Sequence, residues 1–508
     1  MGGPVPLQST LSPHARLTQR LGRLGVLAVT LAVTPVFADD AETKVPTARE
    51  VPVDAGVEAL PTPVAAPKPV QTGAIDACVA DGAVEAAKAA GTSTPQTSEA
   101  LPASLSSPEG TPLGSEAALE QKLEGMGEEL PVLHVPHRSK EPPLTSARSL
   151  PRERDLLAQA YKAEGHYKVG KGDTAHPLTL DPSLQDQLTR TLENYRVPFG
   201  AVVALDPSTG RVLAMAEHSQ VRPDLRGLSV QALFPAASIF KLVTATALLS
   251  EGISPATGEC FHGGKRKLDE KLLGDSERDG LCYSLSEALG RSANVIFAKM
   301  TVKHLTAAKL KAAAESLGFN RPLPFDVPTG MSLAAVPEDT FGLATAGAGF
   351  GDVYLSPLHG AVLAAAIANK GVWHVPFLIS REGAAFDAAA NPGQRVMTEA
   401  QAEALTGMME ETVTHGTARR VFQERGHHVP GAVGKTGSLA DKNPFRDYSW
   451  FVGFAPRDNP KVAVAAVIVN EPLWHIRATW LGREALRLYL EGLAKPQKGS
   501  PATRRPTR

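Results

Sequence analysis

Leu184, Leu188 and Leu192 recur every four residues in PLTLDPSLQDQLTRTLENY and put one apolar stripe on a helix. Two short apolar runs follow, GAVVALD at 200–206 and RVLAMAE at 211–217. The PSTG between them has turn composition, so the runs form a hairpin and pair antiparallel. Helical segments dominate from 238 to about 420. Three more strand-like runs come next, PGAVGKTGSL at 430–439, YSWFVGFAP at 448–456 and KVAVAAVIV at 461–469, before a closing helix ATWLGREALRLYLEGL. Two strands, many helices, three strands and a helix lack the βαβ alternation of a parallel sheet. The order predicts an α+β fold in which both ends of the domain build one antiparallel five-stranded sheet packed between helices.

Outside this region the pattern changes. Arg16, Arg20 and Arg23 precede the apolar run LGVLAVTLAVTPVFA at 24–38, which is too short for a spanning helix and ends in a small-residue cleavage pattern before Asp39 and Asp40. Residues 1–38 read as a cleaved secretory signal, with an uncleaved membrane anchor as the alternative, so the remainder works outside the cytoplasm, in the periplasm or cell envelope. From 39 to 150 the chain is rich in Pro, Ala, Thr, Ser and Glu, without periodicity apart from a weakly helical patch near 115–125. Such a composition buries too little apolar surface to offset ordering entropy, so it is expected to be a disordered linker. A short helical lead-in is expected over 151–175, the folded domain over 176–495 and a basic tail over 496–508.

Composition narrows the function. A formal net charge of −1 gives no electrostatic affinity for nucleic acid or anionic lipid. Of the three cysteines, Cys260 and Cys282 are candidates for a disulfide in an oxidising compartment, leaving Cys78 over. No set of Cys and His has zinc-ligand spacing, and no metal or cofactor is expected.

The candidate chemistry begins in PAASIFKLVTATALL, where Lys241 interrupts an otherwise apolar helix three residues after Ser238. Pro235 suits a helix start and Ser238 falls in its first turn, and residues at i and i+3 are neighbours on a helix. Burial disfavours a charged lysine, and a neutral amine beside a hydroxyl is a general base beside a nucleophile. By chance alone S-x-x-K arises about twice in a chain of this length, so the spacing needs company. GRSANVIFAK supplies Ser292 and Asn294 on a connection between helices, and if that link is extended the two side chains share one side. Lys435, Thr436, Gly437 and Ser438 lie in a strand, where a glycine suggests close approach by a ligand backbone adding to the sheet edge.

S-x-x-K, S-x-N and K-T-G in this order resemble the signature of penicillin-binding proteins and serine β-lactamases. The likeness to the penicillin-binding transpeptidase domain extends over roughly 176–490, through AVVALDPSTGRVLAMA, FGDVYLSPLHGAVLAAAIANKG, HGTARR and SWFVGFAPRDNPKVAVAAVIV. Departures are an alanine before Ser238 where glycine is common and K-T-G-S in place of K-T-G-T. Nothing in 39–150 resembles the glycosyltransferase or pedestal domain of many relatives, which leaves the usual contacts with other cell-wall synthesis proteins open.

The resemblance implies a serine D,D-transpeptidase acting on D-Ala–D-Ala stem peptides of peptidoglycan through an acyl-enzyme, with β-lactams as covalent inhibitors. Ser238 is then the nucleophile, Lys241 its base and Ser292 a proton relay. Asn294, Lys435, Thr436 and Ser438 bind substrate, the share of Thr436 being the least secure because strand alternation points it away from Lys435. A D,D-carboxypeptidase shares this chemistry. A β-lactamase would need a deacylating group, and no E-x-x-L-N lies between Asn294 and Lys435. A non-catalytic penicillin-recognising module is the remaining alternative, and the intact motif residues argue against it.

Overall fold

The computed structural model describes residues 144–264, 267–380 and 391–495. The expected signal, most of the expected linker, Cys78 and the basic tail lie outside these residues.

Five strands form the central sheet: β1 (Phe199–Leu205), β2 (Val212–His218), β3 (Val433–Lys442), β4 (Phe445–Ala455) and β5 (Val462–Asn470). Their order is β3-β4-β5-β1-β2, with every neighbouring pair antiparallel. The two ends of the folded domain meet where β5 pairs with β1, with Ala465 opposite Val203. Six helices frame the sheet and the site: α1 (Pro182–Asn194), α2 (Lys241–Ser250), α3 (Asn294–His304), α4 (Pro357–Ala368), α5 (Glu399–Thr414) and α6 (Ala478–Ala494).

The period-two geometry of a strand explains why β5 is apolar at nearly every position. Ala463, Ala465, Val467 and Val469 enter one core, while Val462, Val464, Ala466 and Ile468 enter the other. The second core takes the leucine stripe of α1 and Leu481 and Ala485 of α6. Asp181 caps α1 by accepting from the Leu184 N–H at 2.8 Å, and Pro182 occupies the first turn. On the opposite face lies α4, buried along almost its whole length. Gly360 lets it approach closely, since a Cβ there would sit 3.1 Å from the Cβ of Ala465.

The expected α+β architecture is what the chain adopts, with two differences near the start. Packing begins within the stretch read as linker: Leu144 is buried in the main core and the Leu150 N–H donates to the Arg226 carbonyl. The lead-in has one short α-helix, Leu156–Gln159, flanked by 3-10 turns at Arg152–Arg154 and Gly172–Thr174, and a hairpin of Tyr161–Ala163 with His166–Val169. Glu164 and Gly165 both take positive φ, at 54° and 79°, which is the backbone of a two-residue hairpin turn rather than of a continuing helix.

Candidate active site

The turn that carries Ser238 is fixed from several sides. Phe234–Pro235 pairs with Val353–Leu355, and the Trp450 indole N–H donates to the Pro235 carbonyl at 2.9 Å. Ala237 then takes a positive φ of 48°, sparsely populated for a residue with a Cβ, and opens a 3-10 turn, Ala237–Phe240. The fold makes room for it with Gly349, where a Cβ would lie 2.2 Å from the Ala237 carbonyl oxygen. Thus Pro235 ends a short strand instead of starting the helix, and Ser238 sits in the 3-10 turn with Lys241 as the first α-helical residue.

Lys241 has no exposed surface. Its Nζ is 2.9 Å from Ser238 Oγ, 2.8 Å from Asn294 Oδ1 and 2.6 Å from the Ala348 carbonyl. The rings of Phe297 and Phe350, each 5.6 Å away, keep the surroundings dry. Burial, and after it the charge of Lys435, hold this amine well below the usual lysine range. A neutral amine carries two hydrogens, and Asn294 Oδ1 and Ala348 O accept them. The lone pair then faces the Ser238 hydroxyl.

Ser292 is not extended as expected. Gly290 ends the helix Leu285–Gly290, and the Ala293 and Ser292 N–H groups fold back onto the Ala288 and Leu289 carbonyls. This closure demands a left-handed residue, usually glycine, and Ser292 fills the place at φ 55°. Asn294 becomes the first residue of α3, so the two side chains diverge: Asn294 meets Lys241, and Ser292 Oγ accepts from Lys435 Nζ at 2.9 Å. Ser292 and Asn294 are thereby joined to one cluster through two different lysines. Lys435 is fully buried, also donates to its neighbour's carbonyl, Thr436 O, at 2.8 Å, and is brought down to about 7 by desolvation.

The strand carrying Lys435, β3, is a sheet edge beside the turn that carries Ser238. A Cβ on Gly437 would lie 3.3 Å from Ile239 Cγ1 and 3.4 Å from the Ala236 carbonyl. The turn that carries Ser238 is therefore a close neighbour of this glycine. Ser438 is half-buried. As alternation requires, Thr436 leaves Lys435 and meets Thr417, with the hydroxyl oxygens 2.5 Å apart. Thr417 stands in HGTARR, a stretch legible as family-like without a role for any one residue; Ala348, which contributes a backbone carbonyl, left no signal in its side chain.

Behind α3 a second hairpin pairs Gly258–Phe261 with Leu281–Ser284, and Cys260 and Cys282 are direct partners joined by a disulfide. Lys299 on α3 has no exposed side-chain surface and makes ion pairs with Glu259, Asp275 and Asp279 at 3.2, 3.0 and 2.8 Å. The hairpin is thus tied to the helix that Asn294 begins. Among the described residues no group of three or more His, Cys, Asp or Glu could hold a metal ion, and no helix is long and apolar enough to cross a membrane.

A family model described as the penicillin binding protein transpeptidase domain matches residues 200–479, more than half of the chain. Peptidoglycan D,D-transpeptidase PbpA of Mycolicibacterium smegmatis is 30% identical over 310 residues, which cover 53% of this chain. The chain spans 61% of that relative's length. Among solved structures, the D,D-transpeptidase domain of a peptidoglycan glycosyltransferase from Eggerthella lenta superposes with a TM-score of 0.51 at 25% identity, covering 62% of this chain and 82% of that one. The imipenem acyl-enzyme complex of penicillin-binding protein A from M. tuberculosis gives 0.50 at 24% identity, covering 62% and 79%. A five-stranded sheet with Ser238, Lys241, Ser292, Asn294 and Lys435 gathered at its β3 edge, and a family match from β1 into α6, lead to one assignment: the chain belongs to the penicillin-binding protein transpeptidase family.

Proposed function

We propose that the chain is a serine D,D-transpeptidase that cross-links peptidoglycan through an acyl-enzyme on Ser238. The observation that carries this reading is the buried Lys241 amine, 2.9 Å from the Ser238 hydroxyl with both hydrogens of its neutral form accepted elsewhere. Ser238 Oγ attacks the carbonyl carbon of the penultimate D-Ala and passes its proton to Lys241. The negative charge on the tetrahedral oxygen is met by the backbone N–H groups of Ser238 and Ser438, each worth about 3 kcal/mol. The C–N bond then breaks, and Ser292 relays to the departing amine of the terminal D-Ala the proton that Lys241 took from Ser238, which returns Lys241 to its neutral form. An amine of a neighbouring stem peptide attacks the ester, Lys241 takes its surplus proton, and Ser238 recovers its hydrogen as the ester C–O bond breaks.

Asn294 holds an amide of the substrate while orienting Lys241. Lys435 attracts the terminal carboxylate, whose oxygens accept from Thr436 and Ser438. β-Lactams enter by the same attack and acylate Ser238. Two findings on relatives support the reading: the D,D-transpeptidase name of the M. smegmatis protein and the imipenem acyl-enzyme of the M. tuberculosis protein. Such a reaction on wall peptides places the domain on the outer side of the cytoplasmic membrane.

Product analysis tests it. Purified protein given a pentapeptide donor ending in D-Ala–D-Ala and an amine acceptor is expected to release D-Ala and form the donor–acceptor amide. Hydrolysed tetrapeptide as the sole product at saturating acceptor would make the enzyme a carboxypeptidase instead. No release of D-Ala would overturn the catalytic reading.

A further inference from the structure

We propose that Thr417 is a positioning residue for the substrate carboxylate: its hydroxyl donates to Thr436, so that the Thr436 proton is directed at the anion. The inference rests on the carboxylate site assigned above and adds a residue to it.

Each threonine hydroxyl has one hydrogen to give. With their oxygens 2.5 Å apart, Thr417 and Thr436 form a two-member chain that runs in one of two directions. In the first, Thr436 donates to Thr417, which donates to the Gly290 carbonyl. Thr436 then presents only lone pairs and repels a carboxylate. In the second, Thr417 donates to Thr436, and the Thr436 hydrogen is left for the ligand. Only the second direction binds an anion.

The geometry makes the second direction easy to reach. The Thr417 hydroxyl is 3.5 Å from the Gly290 oxygen, the long limit of a hydrogen bond, and that carbonyl already accepts from the Thr417 N–H at 3.1 Å. Turning the Thr417 hydrogen toward Thr436 therefore gives up little. The oxygens themselves are held in place. Thr436 is fixed by the strand and by the stiff χ1 of a β-branched side chain. The loop carrying Thr417 is pressed against the end of the helix before Ser292, since a Cβ on Gly416 would lie 2.0 Å from the Gly290 oxygen. Thr417 thus bridges the S-x-N connection and the K-T-G strand, with its own side exposed and Thr436 9% exposed.

The test compares acylation by benzylpenicillin with acylation by its methyl ester, in wild type, Thr417→Val and Thr417→Ser. Valine keeps the shape and removes the hydroxyl, and serine keeps the hydroxyl. The expected result is a loss of about tenfold in the second-order rate constant for benzylpenicillin in Thr417→Val, the scale of one hydrogen bond to a charged group. The methyl ester should change by less than about twofold, because it offers no carboxylate, and Thr417→Ser should restore the wild-type rate. Equal losses on acid and ester, or no loss on either, would overturn the inference while leaving the proposed function standing. A wild-type protein that reacts with neither compound would overturn both.

Discussion

An amine with two hydrogens, two oxygen acceptors at 2.8 and 2.6 Å and a serine at 2.9 Å has one direction left for its lone pair. That count, rather than proximity alone, is why the proposed mechanism makes Lys241 a base that needs no relay through water. Replacing Lys241 with methionine keeps the stem and removes the base, so acylation by benzylpenicillin should fall by about 10²–10⁴-fold while Ser238 stays in place. The pH dependence follows from the two buried lysines. In the proposed mechanism Lys241 works when neutral, and burial holds its proton affinity well below the usual lysine range. In the same mechanism Lys435 works when charged, and its charge is lost as pH rises through about 7. The second-order acylation constant, which reports the free enzyme, should therefore fall on the alkaline side near pH 7 as Lys435 loses its charge, and on the acid side as Lys241 gains a proton. A rate that climbs steadily to pH 9 would show that the charge of Lys435 is not needed.

Elements set these residues at their distances, and some of that placement is visible in the sequence. Lys241 stands out as a cation in an apolar helix, and Lys435 as a cation in a strand that pairs on one side only. Alternation alone separates Thr436 from Lys435. The left-handed Ser292 was not legible, because serine there takes the place of the glycine that normally marks such a closure. Nor was the partner of Thr436, because Thr417 is brought to it by the packing of α5 and its following loop, a contact between segments rather than a local pattern. Gly437 was legible as a place of close approach. The disulfide belongs to this scale as well. Closing a loop of 22 residues, Cys260–Cys282 should contribute about 3 kcal/mol by restricting the unfolded chain. A Cys260→Ser, Cys282→Ser variant should show a lower unfolding midpoint. Slower acylation is also expected, since the hairpin is tied through Lys299 to the helix that begins with Asn294. Two free thiols in protein from the native compartment, mapped without reductant, would remove the disulfide from the account.

Across the whole molecule, the sheet joins strands from both ends of the domain, so the turn with Ser238, the S-x-N connection and the K-T-G strand come from three distant stretches and meet at one edge. That edge supplies one arrangement for acylation. Deacylation needs another, a group that activates water over the exposed side of the ester carbonyl. The Lys241 amine lies beside the ester oxygen, and its near neighbours are an amide, a carbonyl, a hydroxyl and two rings. No carboxylate hydrogen-bonds to it among the described residues. A ring-opened β-lactam also keeps its leaving group tethered, which obstructs water. The acyl-enzyme should last for minutes, whereas a hydrolase working at the common rate of about 10 per second would clear it at once. The most direct test follows benzylpenicillin on the purified protein by intact mass over time, with peptide mapping of the adduct. The account predicts a single penicilloyl group on the peptide containing Ser238, absent from Ser238→Ala and persisting for minutes after free drug is removed. An adduct that survives in Ser238→Ala, or one on Ser238 that is gone within seconds, would contradict it.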